Sequence, residues 1–429
     1  MVGTRLRTFV AALSVLAVVA PGARALQTPA VGCSWPTKLD ADTLNAAFPD
    51  QSATYWGTRF VSIPGARILI KGRYPAARYF SFHAYDDLQR PVGSLLDADI
   101  APDAGSANPF ATAGAPAGGS YSAAIEFTAK PANPAPNTLY AGAMADGTPN
   151  PGGSILYRVY VADDPADAAG GAPLPDLSLE LAGGAVTIPF ARCEPLPPST
   201  GGAVNDAIAR ASFPDAVPRV VPFPPAATTP EFRRFYGLDR TVYDRVPPNP
   251  VTDAIPRFQG GFLSNQHNAY LYRILSRQLG DVFVLRARAP TFPDTRPPGT
   301  EWPGDPTKQL RYWSICQNEF VTQRFTACLA DYQTVVDPSG FFTFVISDPS
   351  DRPANATAAN DVNWLPWGGA YYDGVVIYRH MLPRSDFAQA IQNVPEGTDP
   401  ASVMGDYFPR SGYCTKAAFE AGGAAACSS

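Results

Sequence analysis

Short stretches in which apolar and polar residues alternate follow one another along the chain, and glycine or proline separates them. In residues 79–85, Phe80 and Phe82 fall on one face of an extended strand, while Ser81 and His83 fall on the other face with the flanking tyrosines. The chain has 46 Pro and 36 Gly among 429 residues, a frequency that excludes many long helices. The pattern predicts a mainly β protein of half-buried antiparallel strands in sandwich or jelly-roll-like domains.

One order of features occurs twice in the chain. Each half contains an aromatic strand, a strand flanked by charged residues, an Arg-Tyr-aromatic-Ser strand and an aspartate-containing turn. The matching segments are 55–60 with 270–275, 67–73 with 281–286, 78–82 with 311–315, and 95–100 with 329–334. Each half then continues with Asn137 or Asn363, a Gly-Gly turn and a long apolar strand. The shared order predicts an internal duplication.

The repeats set the expected domain boundaries. The first β-sandwich is predicted at 33–194 and the second at 259–396. Residues 195–258 are rich in proline but also in aromatic side chains, so we expect a linker that packs along the domains. Residues 397–429 are expected to form a disulfide-stapled tail.

The N-terminus has the features of a cleavable export signal. Arg5 and Arg7 precede an uncharged apolar run at 9–20, and the Ala-Arg-Ala sequence at 23–25 fits a cleavage site. The run is shorter than the roughly 20 residues of a membrane-spanning helix, which disfavours the alternative of a retained anchor. The residue after the expected cleavage is not cysteine, so no lipid anchor is predicted. We therefore expect residues 1–25 to be removed and the protein to be secreted or periplasmic, with no transmembrane segment.

The charge balance disfavours nucleic acid as a partner. The chain has 33 basic and 38 acidic residues, and removing the signal removes three arginines and no acid. The mature balance of 30 against 38 gives a net charge near −8. Nucleic-acid binding depends on clustered Lys and Arg, which the sequence lacks.

An even number of cysteines in an exported chain predicts disulfides. Their positions favour three pairs, although six cysteines allow 15 pairings in principle. The favoured pairs are Cys33–Cys193, Cys316–Cys328 and Cys414–Cys427. Metal binding by these residues is the alternative, but no C-x-x-C pair occurs and no metal site is predicted.

The sequence lacks the G-x-S-x-G, H-E-x-x-H, P-loop and dinucleotide-binding glycine patterns, so candidate chemistry depends on single residues. The chain has three histidines, His83, His267 and His380. His83 lies upstream of Asp97 and Asp99, and an imidazole beside carboxylates can act as a general base. The candidate catalytic residues are therefore His83, Asp97, Asp99 and His267, in a cleft between the domains. The alternative is an ordinary strand histidine, favoured because the second copy has a cysteine at the position of His83. No flavin, nicotinamide or other cofactor is predicted.

Carboxylates in the turn after residue 96 allow a second interpretation. Asp97, Asp99 and Asp103 offer hard oxygen ligands for Ca²⁺, but their spacing differs from the twelve-residue calcium loop. Turn-forming aspartates are the commoner explanation.

Aromatic residues suggest a ligand-binding surface. The chain has 19 Tyr, 24 Phe and 6 Trp, and several of them flank the turn at 368–369. The candidate ligand-binding residues are Tyr85, Trp364, Trp367 and Tyr371. Such residues can line a sugar- or lipid-binding cleft, although most aromatics in a β-sandwich belong to the core.

Four segments of the second half resemble a known group of bacterial envelope proteins. They are residues 265–270, 311–314, 363–366 and 378–383. Their order, above all the Asn-Trp-Leu-Pro turn at 363–366, resembles exported proteins with tandem domains of unknown function, types 1254 and 1214. The resemblance implies a β fold and an exported setting, and it implies no established chemistry. The cysteines and the proline-rich linker depart from that pattern.

Together these features predict an exported double β-domain protein that binds a glycan or a lipid-like small molecule. The alternative is an extracellular hydrolase, lyase or isomerase with an interdomain active site that uses a histidine and nearby aspartates. The sequence does not determine the oligomeric state.

Overall fold

A computed structural model describes residues 33–41, 43–194, 231–237, 260–297, 301–319, 323–368 and 373–427. The predicted export signal, most of the linker and Tyr371 lie outside these ranges. The protein is mainly β, as the alternating pattern predicted, and its sheets are largely antiparallel. No helix in the described ranges is long and apolar enough to cross a bilayer.

The first half forms two five-stranded sheets, in the orders β1-β2-β8-β4-β5 and β10-β9-β3-β6-β7. Its strands are β1 (Thr37–Leu39), β2 (Ala53–Val61), β3 (Arg67–Arg73), β4 (Ala77–Asp86), β5 (Pro91–Leu96), β6 (Ser120–Glu126), β7 (Thr138–Tyr140), β8 (Gly152–Ala162), β9 (Asp176–Leu181) and β10 (Val186–Pro189). Side chains from both sheets share one apolar core, for example Phe80 of β4 with Ile68 of β3 and Ile125 of β6. The two sheets therefore pack as a sandwich.

The second half repeats this arrangement, with sheet orders β11-β12-β18-β14-β15 and β17-β16-β13-β19. Its strands are β11 (Arg233–Arg234), β12 (Asn268–Ser276), β13 (Val282–Arg288), β14 (Leu310–Glu319), β15 (Phe325–Ala330), β16 (Phe341–Ser347), β17 (Val362–Pro366), β18 (Asp373–Pro383) and β19 (Arg410–Cys414). Both halves contain one parallel pair, β6 with β7 and β16 with β17. Strand order and pairing match in the two copies except for β10, which has no counterpart among the described strands of the second half, whose second sheet has four strands instead of five.

The helices among the described residues are short. Those ranges contain two α-helices, α1 (Pro400–Met404) and α2 (Lys416–Gly422), near the C-terminus. The 3₁₀ turns are Asp97–Asp99, Ala182–Gly184, Arg277–Leu279, Asp331–Gln333, Pro349–Asp351, Ala358–Asn360, Ile391–Asn393, Gly405–Tyr407 and Gly423–Cys427. The turns Asp97–Asp99 and Asp331–Gln333 occupy equivalent places after β5 and β15.

The second sandwich extends beyond the boundaries expected at 259–396. Strand β11, from the linker region, pairs with β12, and strand β19, from the expected tail, pairs with β13. The tail thus contributes an edge strand, because β13 otherwise has one open side.

The three disulfides of the described structure are the pairs that the spacing favoured: Cys33–Cys193, Cys316–Cys328 and Cys414–Cys427. The first joins the two ends of the first sandwich. The second links directly opposed residues of β14 and β15. The third fastens the C-terminal turn to β19.

Strand β4 corrects one expectation, because every residue of it is buried rather than alternate ones. Phe80 and Phe82 face the core of the first sandwich. On the opposite face, Tyr79 and Tyr85 belong to a third apolar cluster that also contains Tyr312 of the second sandwich. The face predicted to meet solvent is covered by the other domain.

Two equivalent ion pairs join the sandwiches. Arg78 Nη1 lies 2.6 Å from Asp331 Oδ1, and Arg311 Nη1 lies 2.6 Å from Asp97 Oδ1. Each aspartate also accepts a backbone hydrogen bond within its own domain, from Phe80 to Asp97 and from Trp313 to Asp331. Each carboxylate is therefore held by its own turn and strand while it binds an arginine of the other domain, so the domains meet in a pseudo-twofold manner.

Candidate functional site

Both histidines that the sequence offered as interdomain candidates lie at this domain interface. The ring centroids of His83 and His267 are 4.9 Å apart. Two hydroxyls connect them: Ser81 Oγ is 3.1 Å from His83 Nδ1, and the Tyr79 hydroxyl is 2.8 Å from His267 Nδ1. Tyr79, Ser81 and His83 share one face of β4 because side chains alternate along a strand. His267 is on the segment just before β12 of the other domain.

The hydrogen-bond network fixes the proton of His83. The backbone N–H of Gln266 donates to His83 Nε2 at 3.2 Å, so the neutral ring carries its proton on Nδ1 and donates to Ser81. The Tyr79 hydroxyl lies 2.7 Å from Ser81 Oγ, 3.2 Å from Asn265 Oδ1 and 2.8 Å from His267 Nδ1, so its single proton has three acceptors within reach. The network therefore fixes the position of the His267 ring and not its tautomer. His267 Nε2 has no hydrogen-bond partner among the described residues.

Both rings are neutral at pH 7. Burial lowers the pKa of His83 well below its ordinary value, and the positive charge of Arg158 acts in the same direction. Burial and the nearby Arg158 lower the pKa of His267 to about 4. The His83 side chain is fully buried, whereas that of His267 is half-buried. His267 is therefore the member of the pair that a ligand can reach.

Arg158, on β8, is the nearest permanent charge. Its guanidinium lies over the rings of Tyr55 and Tyr85, 5.4 and 5.3 Å from their centroids, which favours the cation. Nη2 donates to the carbonyl of Leu263. Nε and Nη1 are buried and have no hydrogen-bond partner among the described residues. We refer to Tyr79, Ser81, His83, Arg158, Asn265 and His267 as the interdomain site.

The equivalent place in the other copy has different chemistry. Tyr312 and Ser314 donate to Asp50, at 2.9 and 2.6 Å, and Arg379 Nη1 lies 3.8 Å from the same carboxylate. Cys316 stands at the position of His83, and it is in a disulfide. One copy is thus an electrically balanced, crosslinked contact, while the other retains two imidazoles and an arginine.

The aspartates predicted beside His83 have other roles. Asp97 is buried and binds Arg311, the backbone N–H of Phe80 and that of Ala98. Asp99 is exposed in the same turn, and Asp103 is half-buried. Asp97 therefore joins the domains instead of contacting His83, whereas the role predicted for Asp99 stays a prediction.

The aromatic candidates do not form one surface. Trp367 is 4% exposed and belongs to the core of the second sandwich, whereas Trp364 packs in a separate cluster with Val345. Tyr85 is fully buried at the interface, where its hydroxyl donates to the carbonyl of Ser264 at 2.9 Å. The structure therefore contradicts a shared binding surface of Trp364 and Trp367. Trp364 lies within β17 and Trp367 just after its end, and their side chains pack into different apolar clusters. Tyr371 lies outside the described residues.

Neither the third histidine nor the cysteines add a metal centre. His380 is buried away from the pair, and its Nδ1 accepts from the backbone N–H of Ile391 at 3.3 Å. In the described ranges, the acidic, histidine and cysteine side chains with metal-like spacing are Asp50, Cys316 and Cys328. The two cysteines are bonded to each other, so this group offers a metal one carboxylate.

Sequence reasoning missed Tyr79, Ser81, Arg158 and Asn265 as parts of the site. A signal for Asn265 was present in the mismatches between the repeats. Extending the match of 55–60 with 270–275 by five residues towards the N-terminus aligns Asp50 with Asn265, and extending the match of 78–82 with 311–315 by one residue aligns His83 with Cys316. Tyr79, Ser81 and Arg158 have identical residues in the other copy, so the mismatches give no signal for them.

No family model matches the chain, and no curated protein matches it. Among solved structures, the chain is similar to an uncharacterised protein from Burkholderia cenocepacia, at 14% identity and a TM-score of 0.51, with 95% of this chain and 88% of that chain covered. A protein from Vibrio parahaemolyticus matches at 14% identity and a TM-score of 0.40, covering 87% of this chain and 92% of that one. The first similarity supports the fold alone.

Proposed function

We propose that this is an exported protein that binds a small organic ligand at the interdomain site. The observation that carries the proposal is His267, a half-buried, neutral imidazole whose Nε2 has no hydrogen-bond partner in the described part of the chain. Its orientation is fixed by Tyr79 through Nδ1. A ring held in this way offers Nε2 for a hydrogen bond with a ligand hydroxyl, such as that of a glycan, which can donate or accept.

The exported setting has separate support. The N-terminal signal pattern, the three disulfides and the resemblance to exported proteins with domains of types 1254 and 1214 all favour it. Disulfides persist in oxidising compartments. Export is tested by fractionating cells that produce the full chain and sequencing the N-terminus of the mature protein, which we expect near residue 26. A protein that stays in the cytoplasm and keeps residues 1–25 would contradict the proposed export.

Binding is tested with a panel of oligosaccharides and of lipids with hydroxylated headgroups, titrated into the purified mature protein. The proposal expects a ligand whose binding weakens at least tenfold in His267→Ala. The matched control is Gln266→Ala, whose side chain is exposed and whose backbone N–H is kept. If both variants bind as the wild type does, His267 is not the ligand contact and the proposal fails.

The second candidate function is acid–base catalysis at the same site. Tyr79 contacts Nδ1 of His267 and so holds the ring in place; when the proton is on Nδ1, Nε2 is the basic nitrogen that a substrate meets. Because the pKa of His267 is lowered to about 4, the base form persists in mildly acidic solution. Turnover of a panel substrate, with an acidic limb near pH 4 that moves in Tyr79→Phe, would establish this function. Binding without turnover by any panel member would exclude it for those substrates.

A further inference from the structure

The two copies treat equivalent buried arginines differently. Arg158 and Arg379 follow a buried tyrosine on the long strands β8 and β18. Each donates through Nη2 to a carbonyl of the opposite domain, Leu263 for Arg158 and Phe48 for Arg379. Their surroundings match in geometry, so a difference in nearby charge reflects a difference in the residues present.

Asn265 is the residue that differs. Asp50 and Asn265 have the same backbone contact, since their N–H groups donate to Tyr55 at 3.1 Å and to Tyr270 at 3.0 Å. Their side-chain oxygens also have the same contact, each accepting at 2.9 Å from the N–H two residues later. Asn265 thus fills the volume of the aspartate without its charge. Arg379 is neutralised by Asp50, and Arg158 has no such carboxylate.

The groups around Arg158 do not replace the missing charge. Tyr55, Tyr79, Tyr85 and Tyr160 provide neutral hydroxyls and ring faces. His83 and His267 are neutral, and Arg311, the other cation that acts on His267, is already paired with Asp97. Two N–H groups of Arg158 are buried without a partner in the described structure. A buried cation in this state is costly unless an anion accompanies it.

We propose that the ligand of the interdomain site carries a carboxylate, and that this carboxylate binds Nη1 of Arg158, the nitrogen whose counterpart on Arg379 faces Asp50. The inference rests on the proposed function, because it names the ligand class of the same site. A carboxylate oxygen that accepts from a guanidinium N–H forms a charge-assisted hydrogen bond, which is stronger than a neutral one. The ligand provides the negative charge that Asp50 provides in the other copy, while His267 Nε2 forms a hydrogen bond with a second polar group of the ligand.

The test compares charged probes with neutral probes of the same shape. Acetate and benzoate, against acetamide and benzamide, are titrated into the mature wild-type protein at constant ionic strength. The expected result is binding of each carboxylate at least tenfold tighter than that of its amide. A bound carboxylate also moves the His267 titration to higher pH in NMR spectra, because a negative charge favours the protonated ring. Equal binding of acid and amide, or binding of inorganic phosphate in preference to both carboxylates, overturns the inference.

Asn265→Asp is the decisive variant, since it introduces the internal carboxylate with little change in shape. We expect carboxylate affinity to fall at least tenfold, amide affinity to stay within twofold, and His267 to titrate at higher pH without any ligand. Gln266→Asp is the matched control, because it adds a carboxylate at the next residue, whose side chain is exposed, and it keeps the carboxylate preference. Unchanged benzoate affinity in Asn265→Asp overturns the inference.

The two proposals fail in different ways. If a neutral ligand depends on His267 while no carboxylate preference exists, the proposed function stands and the carboxylate inference falls. If no probe or panel ligand responds to His267→Ala or Asn265→Asp, both fall.

Discussion

Replacing Asp331 by asparagine removes the charge from one of the two buried ion pairs that join the domains. Both partners are fully buried, and Arg78 Nη1 lies 2.6 Å from Asp331 Oδ1. The carboxylate also accepts from the backbone N–H groups of Trp313 and Tyr332. An asparagine amide has a single acceptor oxygen, so one of these buried donors faces an NH₂ group, and Arg78 loses its nearest anion.

The expected loss is about 3–5 kcal/mol in the free energy of unfolding, the range for removing one partner of a buried pair. Burial raises the pKa of Asp331 to about 6, against the opposing effect of Arg78, so the carboxylate is ionised at pH 7 and its charge is what the variant removes. The assay is urea unfolding at pH 7, followed by tryptophan fluorescence, with the denaturant slope compared between variants.

Asp97→Asn is the matched variant in the other pair. Its partner Arg311 keeps 9% side-chain exposure, against 0% for Arg78, so water can partly solvate the charge left behind and the loss is smaller. A loss below about 1 kcal/mol in Asp331→Asn would refute the assignment of the pair as a main interdomain contact. A larger loss in Asp97→Asn than in Asp331→Asn would refute the argument from burial.

Three further predictions concern pH, crosslinking and backbone packing. Burial lowers the pKa of His267 to about 4, so the unfolded chain binds more protons than the folded one between pH 6.5 and 4. The free energy of unfolding therefore decreases as the pH is lowered, by about 2 kcal/mol for this ring between pH 7 and 5. Thermal unfolding of His267→Asn should show a flatter pH dependence than that of the wild type. Removing the Cys316–Cys328 disulfide in a double alanine variant opens a loop of 12 residues in the unfolded chain, which gains conformational entropy. We expect the free energy of unfolding to fall by about 3 kcal/mol in urea titrations. An unchanged urea midpoint would contradict this. A Cβ at Gly153 overlaps a carbonyl oxygen of β4, so Gly153→Ala should lower the free energy of unfolding by about 3 kcal/mol or more. Gly171 has open space around it but a φ of +73°, so Gly171→Ala should lower the free energy of unfolding by only about 1 kcal/mol in the same assay.

The local pattern of the chain was sufficient for the strands, the repeat and the crosslinks. Alternation in residues 79–85 identified β4 and its core-facing side chains Phe80 and Phe82, because the two-residue period is a property of the strand itself. The alternation did not show whether the opposite face of β4, which carries Tyr79, Ser81 and His83, is exposed to solvent. That face is buried because another domain covers it, which no local pattern encodes.

The candidate site shows the same division. The sequence identified His83 and His267 as candidate catalytic residues at a domain interface. The distance between their rings, the contacts of Tyr79 with Ser81 and His267, and the position of Arg158 depend on how the two domains pack. Asp97 was expected beside a histidine because it is close in sequence. In the fold it binds Arg311, since the turn that carries it faces the other domain.

By itself, the sequence predicted a duplicated β fold, favoured three of the possible disulfide pairs and placed a cysteine at the position of His83 in the second copy, because these follow from short-range periodicity, from spacing and from residue identity. Only the tertiary structure decided that matching faces of the copies meet, that Asp50 neutralises Arg379, and that Asn265 leaves Arg158 without an internal anion. The reason is physical: burial and pairing are set by whichever surface lies opposite, and residues from distant parts of the chain form that surface.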